Sequence, residues 1–158
     1  MAKENKIIAL IQARMGATRL AGKVLLDLCG NTVLERVIER VKRCNLIDDV
    51  VVATTVNKAD LAVVKACADK GISVYCGSET DVLDRFYQAS RLFEAVHVVR
   101  ITSDCPMIDP AVIIKVIRLH LSENADYTSN VLKETYPDGQ DVEIMTFKAL
   151  QSAWEKAE

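Results

Sequence analysis

The stretch Ile7-Ile8-Ala9-Leu10-Ile11 is an apolar run without polar alternation, as expected of a strand that is covered on both faces. Two further runs, at residues 50–53 and 96–101, have the same mostly β-branched character, apart from His97 and Arg100 in the second run. These three runs predict parallel central strands.

Helical segments separate the strands. Thr32 and Glu35 form a capping box, after which apolar side chains recur at helical spacing. Further helices are predicted at about residues 57–70 and 79–94, with Gly71 ending the first of these before a short strand at 72–75. The predicted buried stripe of the first helix is Leu34, Val37, Ile38 and Val41.

A fourth helix is predicted behind Asp109 as N-cap and Pro110 as first helical residue. Short strands at 126–130 and 141–145 and a last helix at 147–156 follow. The alternation predicts one α/β domain over residues 1–158, with a parallel sheet, right-handed crossovers and helices on both faces. The predicted buried stripe of the fourth helix is Ile113, Val116, Ile117 and Leu121.

The composition limits the possible partners. Twenty Lys and Arg against 22 Asp and Glu leave a net charge of −2, which argues against polymeric nucleic acid or a membrane surface. The longest apolar run has five residues, whereas a membrane span needs about 20 and a signal peptide roughly 7 to 15. The five cysteines form no C-x-x-C pair, and most are predicted to be small core residues in a reducing cytoplasm.

The loop after the first strand, residues 12–23, carries three cations and two glycines. Glycines let the backbone approach a ligand and cations neutralise phosphate charge, so a triphosphate is the natural ligand. The loop is not a P-loop, because five residues separate Gly16 from Gly22 and Val24 stands where Ser or Thr would hold the metal. It is not G-x-G-x-x-G either, and a solvated basic surface loop is the alternative.

The loop after the fourth strand contains Asp104, placed where a carboxylate could hold Mg²⁺ against nucleotide phosphates. A turn-forming Asp is the alternative. Cys105 has no base near it in sequence. His97 and His120 have no metal-ligand spacing, so both are predicted to be structural.

The start of the third helix gives a third candidate region. Ser78 with Asp81 forms a capping motif there. The alternative is that this helix N-terminus and Arg85 face the cleft and contact a base or phosphate.

Four stretches of these loops match one family pattern. Together they resemble the bacterial cytidylyltransferases of the spore-coat-polysaccharide type, relatives of the CMP-KDO and CMP-acylneuraminate synthetases, over nearly the whole chain. The stretches are Ile11-Gln12-Ala13-Arg14-Met15-Gly16 running to Arg19-Leu20-Ala21-Gly22-Lys23, then Gly77-Ser78-Glu79 with Asp81-Val82-Leu83-Asp84-Arg85-Phe86, Val99-Arg100-Ile101-Thr102-Ser103-Asp104-Cys105-Pro106, and Tyr136-Pro137-Asp138-Gly139-Gln140-Asp141-Val142-Glu143.

The resemblance implies a Rossmann-like, three-layer α/β/α fold of the glycosyltransferase-A type with a mainly parallel sheet. It also implies Mg²⁺-dependent transfer of CMP from CTP to a sugar, with release of pyrophosphate, and a homodimer. Acidic eight- or nine-carbon sugars fit the relatives.

The resemblance further assigns roles to individual residues. It implies Arg14, Lys23 and Asp104 as catalytic residues and Asp104 as the metal ligand. Asp138 and Asp141 fall on the acceptor side. The implied nucleotide-binding residues are Gln12, Ala13, Arg14, Gly16, Arg19, Gly22, Lys23, Ser78 and Arg85.

The chain departs from the family pattern in two ways. Ala21 stands where Pro is usual, which should loosen the loop slightly. The chain is also short, and the related synthetases take a second metal-binding Asp from a later segment, so a truncated C-terminus is expected. A non-catalytic nucleotide-binding fragment or assembly module, or a nucleotidyltransferase using another nucleotide, are the alternatives.

Overall fold

A computed structural model describes residues 5–17, 20–133 and 135–157. Strands and helices alternate along these residues as the sequence predicts. The strands are β1 (Ile7–Gln12), β2 (Asp27–Leu28), β3 (Asn31–Thr32), β4 (Asp49–Thr55), β5 (Ser73–Gly77), β6 (His97–Thr102), β7 (Tyr127–Ser129) and β8 (Glu143–Thr146). The helices are α1 (Val33–Lys42), α2 (Leu61–Ala68), α3 (Val82–Leu92), α4 (Pro110–Ser122) and α5 (Phe147–Lys156).

The main sheet has the strand order β5-β4-β1-β6-β8-β7. The neighbours from β5 to β6 pair in parallel, whereas β8 is antiparallel to both β6 and β7. The predicted mainly parallel sheet is therefore confirmed. The carboxyl ends of β1, β4, β5 and β6 meet along one edge of it, where ligands bind in open α/β sheets.

Helices cover both faces of the sheet. Ile7, Ala9 and Ile11 pack in one core with residues of α1, α2 and α4. Ile8 and Leu10 pack in a second core with residues of α3 and α5. Both cores follow from the period of two along a strand, since an uninterrupted apolar run supplies each face with side chains. The three-layer α/β/α arrangement is confirmed.

Two helices begin later than predicted. Asn57 caps only a 3₁₀ turn at Lys58–Asp60, and α2 begins at Leu61. The third helix begins at Val82 because the Asp81 carboxylate accepts a hydrogen bond from the Asp84 N–H, as an N-cap does. The expected capping pair does form, but Ser78 Oγ there accepts from the Asp81 N–H, before the helix.

A hairpin between β2 and β3 was not predicted. Its two turn residues, Cys29 and Gly30, have φ angles of 55° and 84°, as in the two-residue turns that suit the twist of hairpins. The strands are only two residues long, too short to leave an alternating pattern. The predicted capping box of Thr32 and Glu35 follows directly and is confirmed.

The buried stripe of α4 is confirmed except at Leu121, which is 41% exposed. His120, fully buried, takes the inward position instead. Its Nε2 lies 3.1 Å from His97 Nδ1, and its Nδ1 lies 3.1 Å from Thr128 Oγ1. These contacts satisfy the polar atoms of a buried ring and support the structural role predicted for both histidines.

This histidine pair predicts a pH-dependent stability. Burial lowers the pKa of His97 below its ordinary value of 6.5, and burial and then His97 lower the pKa of His120, with Asp126 acting in the opposite direction. The unfolded chain therefore binds more protons near pH 6, so the free energy of unfolding should fall as the pH falls through 6.5. Denaturant titrations at several pH values should show a smaller fall for His120→Gln, and an equal fall would contradict the assignment.

The five cysteines are free thiols. Cys44 and Cys67 are buried, and burial, as the largest cause, raises the pKa of Cys67 to about 11. The prediction that most cysteines lie in the core is wrong, because only these two of the five are buried. Cys105 is partly exposed, and Cys29 and Cys76 are exposed in the hairpin turn and near the end of β5. Within the described residues, no helix combines the length and apolar character needed to cross a membrane.

Candidate active site

A cleft of about 240 Å³ opens at the carboxyl edge of the sheet, where the neighbouring strands β1 and β6 end. Two of the three regions that the sequence singled out contribute to it, the loop after β1 and the loop after β6. Its walls are formed by Gln12, Arg14, Ala17, Lys23, Val24, Arg100, Thr102, Ser103 and Asp104.

The loop after β1 folds back on the Met15 peptide. The carbonyl of Met15 accepts hydrogen bonds from the N–H groups of Ala17 and Gly22, each at 2.9 Å. Gly22 has a φ of 69°, a left-handed conformation that favours glycine. Lys23 then begins a 3₁₀ turn, Lys23–Leu25. The glycine thus lets the loop close and turn its lysine toward the sheet edge.

Lys23 and Asp104 form an ion pair across the cleft. Lys23 Nζ lies 2.5 Å from Asp104 Oδ2, and the two side chains are 29% and 40% exposed. The hydrogen bond from Lys23 is the largest of the causes that hold the pKa of Asp104 below its usual value. The pair places a cation and an anionic ligand for metal ions next to each other, within reach of solvent and of a bound molecule.

Two further predicted residues line the same cleft. Arg14 is exposed and follows Ala13, whose N–H continues the strand ladder by donating to the Ala53 carbonyl at 3.2 Å. The Gln12 side-chain oxygen is buried and has no hydrogen-bond partner among the described residues. A buried acceptor of this kind is costly unless a donor reaches it.

Other predicted nucleotide-binding residues lie around this loop. Ala13 is buried at its start, and Gly16 is exposed between Met15 and Ala17. Arg19 lies outside the described residues. The cleft thus brings together Gln12, Arg14, Lys23 and Asp104, and their proposed roles stay predictions.

Arg85 is enclosed rather than open to the cleft. Its side chain is 1% exposed and donates a hydrogen bond to the Ser78 carbonyl. It packs over Gly77, where a Cβ would lie only 2.9 Å from Arg85 Cγ. Burial and then the Arg14 cation lower the pKa of Arg85, while Asp60 and Asp81 act in the opposite direction. Its Nε lacks a partner among the described residues.

The residues predicted for the acceptor side line a separate depression. Asp138 and Asp141 surround about 180 Å³ together with Asn130, Val131 and Tyr136. A Cβ at Gly139, which lies between the two acids, would be 3.8 Å from Cys105 Sγ. Cys105 accepts a hydrogen bond from the Thr102 hydroxyl at 3.2 Å, and burial is the largest cause that raises the pKa of its thiol. A raised pKa disfavours the thiolate, which is the nucleophilic form of cysteine.

Sequence reasoning missed an ionic network that begins at Arg100, a residue of the cleft between β1 and β6. Arg100 on β6 donates to Glu143 on β8 at 2.5 Å, and the hydroxyl of Tyr127 on β7 donates to the same carboxylate at 3.0 Å. The position of Arg100 within an apolar strand is a sequence signal for a charged partner. The partner itself could not be predicted, because the sequence did not predict where β7 and β8 lie in the sheet.

The donor set limits how a metal could be held. Among the described residues, no three His, Cys, Asp or Glu side chains come together in a metal-binding group. Among the described residues that line the cleft, Asp104 is the only carboxylate, and its side chain is 40% exposed. Mg²⁺ commonly takes one or two carboxylates and completes its shell with water and substrate phosphates, so this single carboxylate fits.

A family model described as cytidylyltransferase matches residues 8–158. That match covers both strands of the cleft and both of its loops. The chain belongs to the cytidylyltransferase family. The resemblance noted in the sequence is thereby confirmed.

Two relatives in the family are similar in sequence. An uncharacterised protein of Methanocaldococcus jannaschii, MJ1063, is 44% identical over 96% of this chain and 61% of its own length. The spore coat polysaccharide biosynthesis protein SpsF of Bacillus subtilis is 37% identical over 78% of this chain and 53% of its own length. The chain spans about half to three fifths of the length of these relatives.

Solved structures agree with the cytidylyltransferase fold. A cytidylyltransferase from Leptospira borgpetersenii superposes with a TM-score of 0.93 at 32% identity, covering 98% of this chain and 66% of that one. A CMP:2-keto-3-deoxy-manno-octonic acid synthetase complexed with CTP shares the fold at a TM-score of 0.78 and 19% identity, over 98% and 79% of the two chains. The manganese complex of Rv0371c from Mycobacterium tuberculosis shares the fold at a TM-score of 0.66 and 19% identity, over 96% of this chain and 81% of that one.

Proposed function

We propose that this chain is the nucleotide-binding part of an enzyme that transfers CMP from CTP to a sugar. The observation that carries the proposal is the Lys23–Asp104 pair in a cleft at the carboxyl edge of a cytidylyltransferase fold. The CTP bound by the CMP:2-keto-3-deoxy-manno-octonic acid synthetase supports the choice of nucleotide.

In the proposed reaction a sugar oxygen attacks the α-phosphorus of CTP. A bond forms between that oxygen and the α-phosphorus, and the sugar hydroxyl releases its proton to water. The bond from the α-phosphorus to the oxygen that bridges it to the β-phosphorus breaks, and pyrophosphate leaves with the bond electrons. Such transfer needs positioning and charge stabilisation rather than a covalent nucleophile. Arg14 and Lys23 are proposed to hold the phosphates, and Lys23 would exchange its bond to Asp104 for one to phosphate.

A divalent metal, with Mg²⁺ as the specific proposal, completes this site. Asp104 would hold it, because its carboxylate is the metal ligand type that faces the cleft. When bound, the metal neutralises charge on the phosphate oxygens. The manganese held by Rv0371c supports a divalent ion in this fold, without choosing between the two metals.

The acceptor is proposed to be an acidic or cell-surface sugar that reaches the cleft from the side of Asp138 and Asp141. The spore coat polysaccharide role of the SpsF relative supports a sugar acceptor. A homodimer is part of the same proposal, and light scattering on the purified protein tests it separately from activity.

One observation favours a second candidate function. Because the chain spans only 53–61% of its two relatives, it could bind nucleotide without turning it over, as a module that a further segment or partner completes. This candidate shares the cleft and its ligands with the first, and differs in catalysis.

Pyrophosphate release tests the function and its nucleotide choice together. With Mg²⁺ and a panel of acidic eight- and nine-carbon sugars, release from CTP should exceed release from ATP, GTP or UTP. If CTP with Mg²⁺ raises the melting temperature but releases no pyrophosphate with any sugar, the binding module is supported instead. Preferential release from another nucleotide would contradict the choice of CTP, and no stabilisation by any nucleotide would contradict both candidates.

A further inference from the structure

Asp60 is a buried acid that touches the loop after β1. Its side chain is 2% exposed. Oδ1 accepts a hydrogen bond from the Met15 N–H at 2.7 Å, across 45 residues of sequence, and Oδ2 accepts one from the Thr55 hydroxyl. Burying a carboxyl group is costly unless hydrogen bonds compensate, and these two bonds supply the compensation.

This acid does not perform the local task that its position suggests. Asp60 is the N-cap residue of α2, yet its side chain makes no capping hydrogen bond to that helix. Asp is a favoured N-cap residue because its oxygen can accept from the N–H groups of the first turn. Here both oxygens are directed to other elements, one to the loop and one to β4. A departure from a local rule of this kind is expected where function requires it.

The hydrogen bond from Met15 to Asp60 holds the residue around which the loop after β1 closes. The Met15 carbonyl already accepts from Ala17 and Gly22, and Asp60 holds the N–H of the same residue. Both polar groups of the Met15 backbone are therefore anchored. Arg14 then lies between two residues whose N–H groups are held, Ala13 by the Ala53 carbonyl and Met15 by Asp60.

We infer that Asp60 is a positioning residue, which holds Met15 so that the loop presents Arg14 and Lys23 to a triphosphate before the nucleotide arrives. The inference rests on the proposed function. Pre-organisation raises affinity because the loop does not have to be ordered when the ligand binds. Asp60 itself need not touch the nucleotide.

The test compares CTP affinity, measured by calorimetry with Mg²⁺, in the wild type, Asp60→Ala and Asp60→Asn. Asparagine can still accept from the Met15 N–H with its Oδ1 and donate to Thr55 with its amide. Asp60→Ala should weaken CTP binding about tenfold to a hundredfold, the scale expected when a part-buried backbone N–H loses its hydrogen-bond acceptor. Asp60→Asn should restore most of the affinity.

Asp48→Ala is the control that matches Asp60→Ala. The Asp48 carboxylate also accepts from a backbone N–H, that of Ile7 at 2.9 Å, but at the start of β1, far from its carboxyl end. This variant should lose stability without losing CTP affinity. If Asp60→Ala folds and binds CTP as the wild type does, the inference is overturned, even if its melting temperature falls.

A measurement without nucleotide keeps the two proposals distinguishable. In the ligand-free wild type the Met15 amide should exchange slowly with deuterium, and Asp60→Ala should accelerate exchange at Met15, Ala17 and Gly22. Fast exchange at Met15 in the wild type overturns the inference. Because this measurement needs only the wild type, it tests the inference even if Asp60→Ala does not fold. Slow exchange with no CTP binding by the wild type would contradict the proposed function and leave the loop anchor supported.

Discussion

Asp104→Ala is expected to remove nearly all metal-dependent pyrophosphate release from CTP, by about a hundredfold or more. A bound metal supplies several kcal/mol of charge stabilisation, and each 1.36 kcal/mol corresponds to about a tenfold change in rate. The Asp104 side chain is 40% exposed and forms its ion pair at the surface of the cleft, so the fold should survive its loss. Rates measured over a range of Mg²⁺ concentrations, with a melting curve for each variant, provide the readout.

Asp69→Ala is the control for this experiment, because Asp69 is an exposed acid at the end of α2. It should release pyrophosphate at the wild-type rate. Wild-type release by a folded Asp104→Ala variant would remove Asp104 from the mechanism. Equal losses in both variants would indicate a general effect of removing an acid rather than a metal site.

Lys23→Met should weaken CTP binding by about tenfold to a hundredfold. The substitution keeps the length of the side chain and removes the ammonium group, so the charge-assisted hydrogen bonds to phosphate are lost. The same change should raise the pKa of Asp104, because the hydrogen bond from Lys23 is the largest of the causes that lower it. Calorimetry measures the affinity, and an NMR titration of the carboxyl carbon measures the pKa.

Lys65→Met is the matched control, since Lys65 is an exposed lysine on α2. It should leave both the CTP affinity and the Asp104 titration unchanged. An Asp104 pKa that stays low in Lys23→Met would show that another group sets it. Unchanged CTP affinity would remove Lys23 from the phosphate site.

Much of the fold was predictable because it depends on local sequence. The apolar run from Ile7 to Ile11 supplies both faces of a central strand, and the box of Thr32 and Glu35 fixes the start of α1 within three residues of sequence. The β2–β3 hairpin was missed because its strands have two residues each. Leu121 was misplaced because helical spacing alone does not distinguish it from His120, which is held inward by His97 and Thr128.

The part of the site formed by loops after parallel strands was predictable, because the fold brings such loops together even when they are far apart in sequence. Lys23 and Asp104 are 81 residues apart, yet the carboxyl ends of parallel strands share one edge, which predicts that the loops after β1 and β6 meet. Asp60 was missed because capping gives a sufficient local explanation for an acid at a helix start. The pairing of Arg100 with Glu143 depends on the register between β6 and β8, which no local pattern determines.

Backbone amide chemical shifts, followed while CTP with Mg²⁺ is added to the wild-type protein, test the central claim most directly. Binding of the triphosphate in the cleft predicts the largest shifts at Gln12, Gly22, Lys23 and Asp104, at the end of β1 and in the loops after β1 and β6. Small shifts are expected for the outer residues of α1 and α2. The absence of shifts at saturating CTP, or large shifts confined to α1 and α2, would contradict the account.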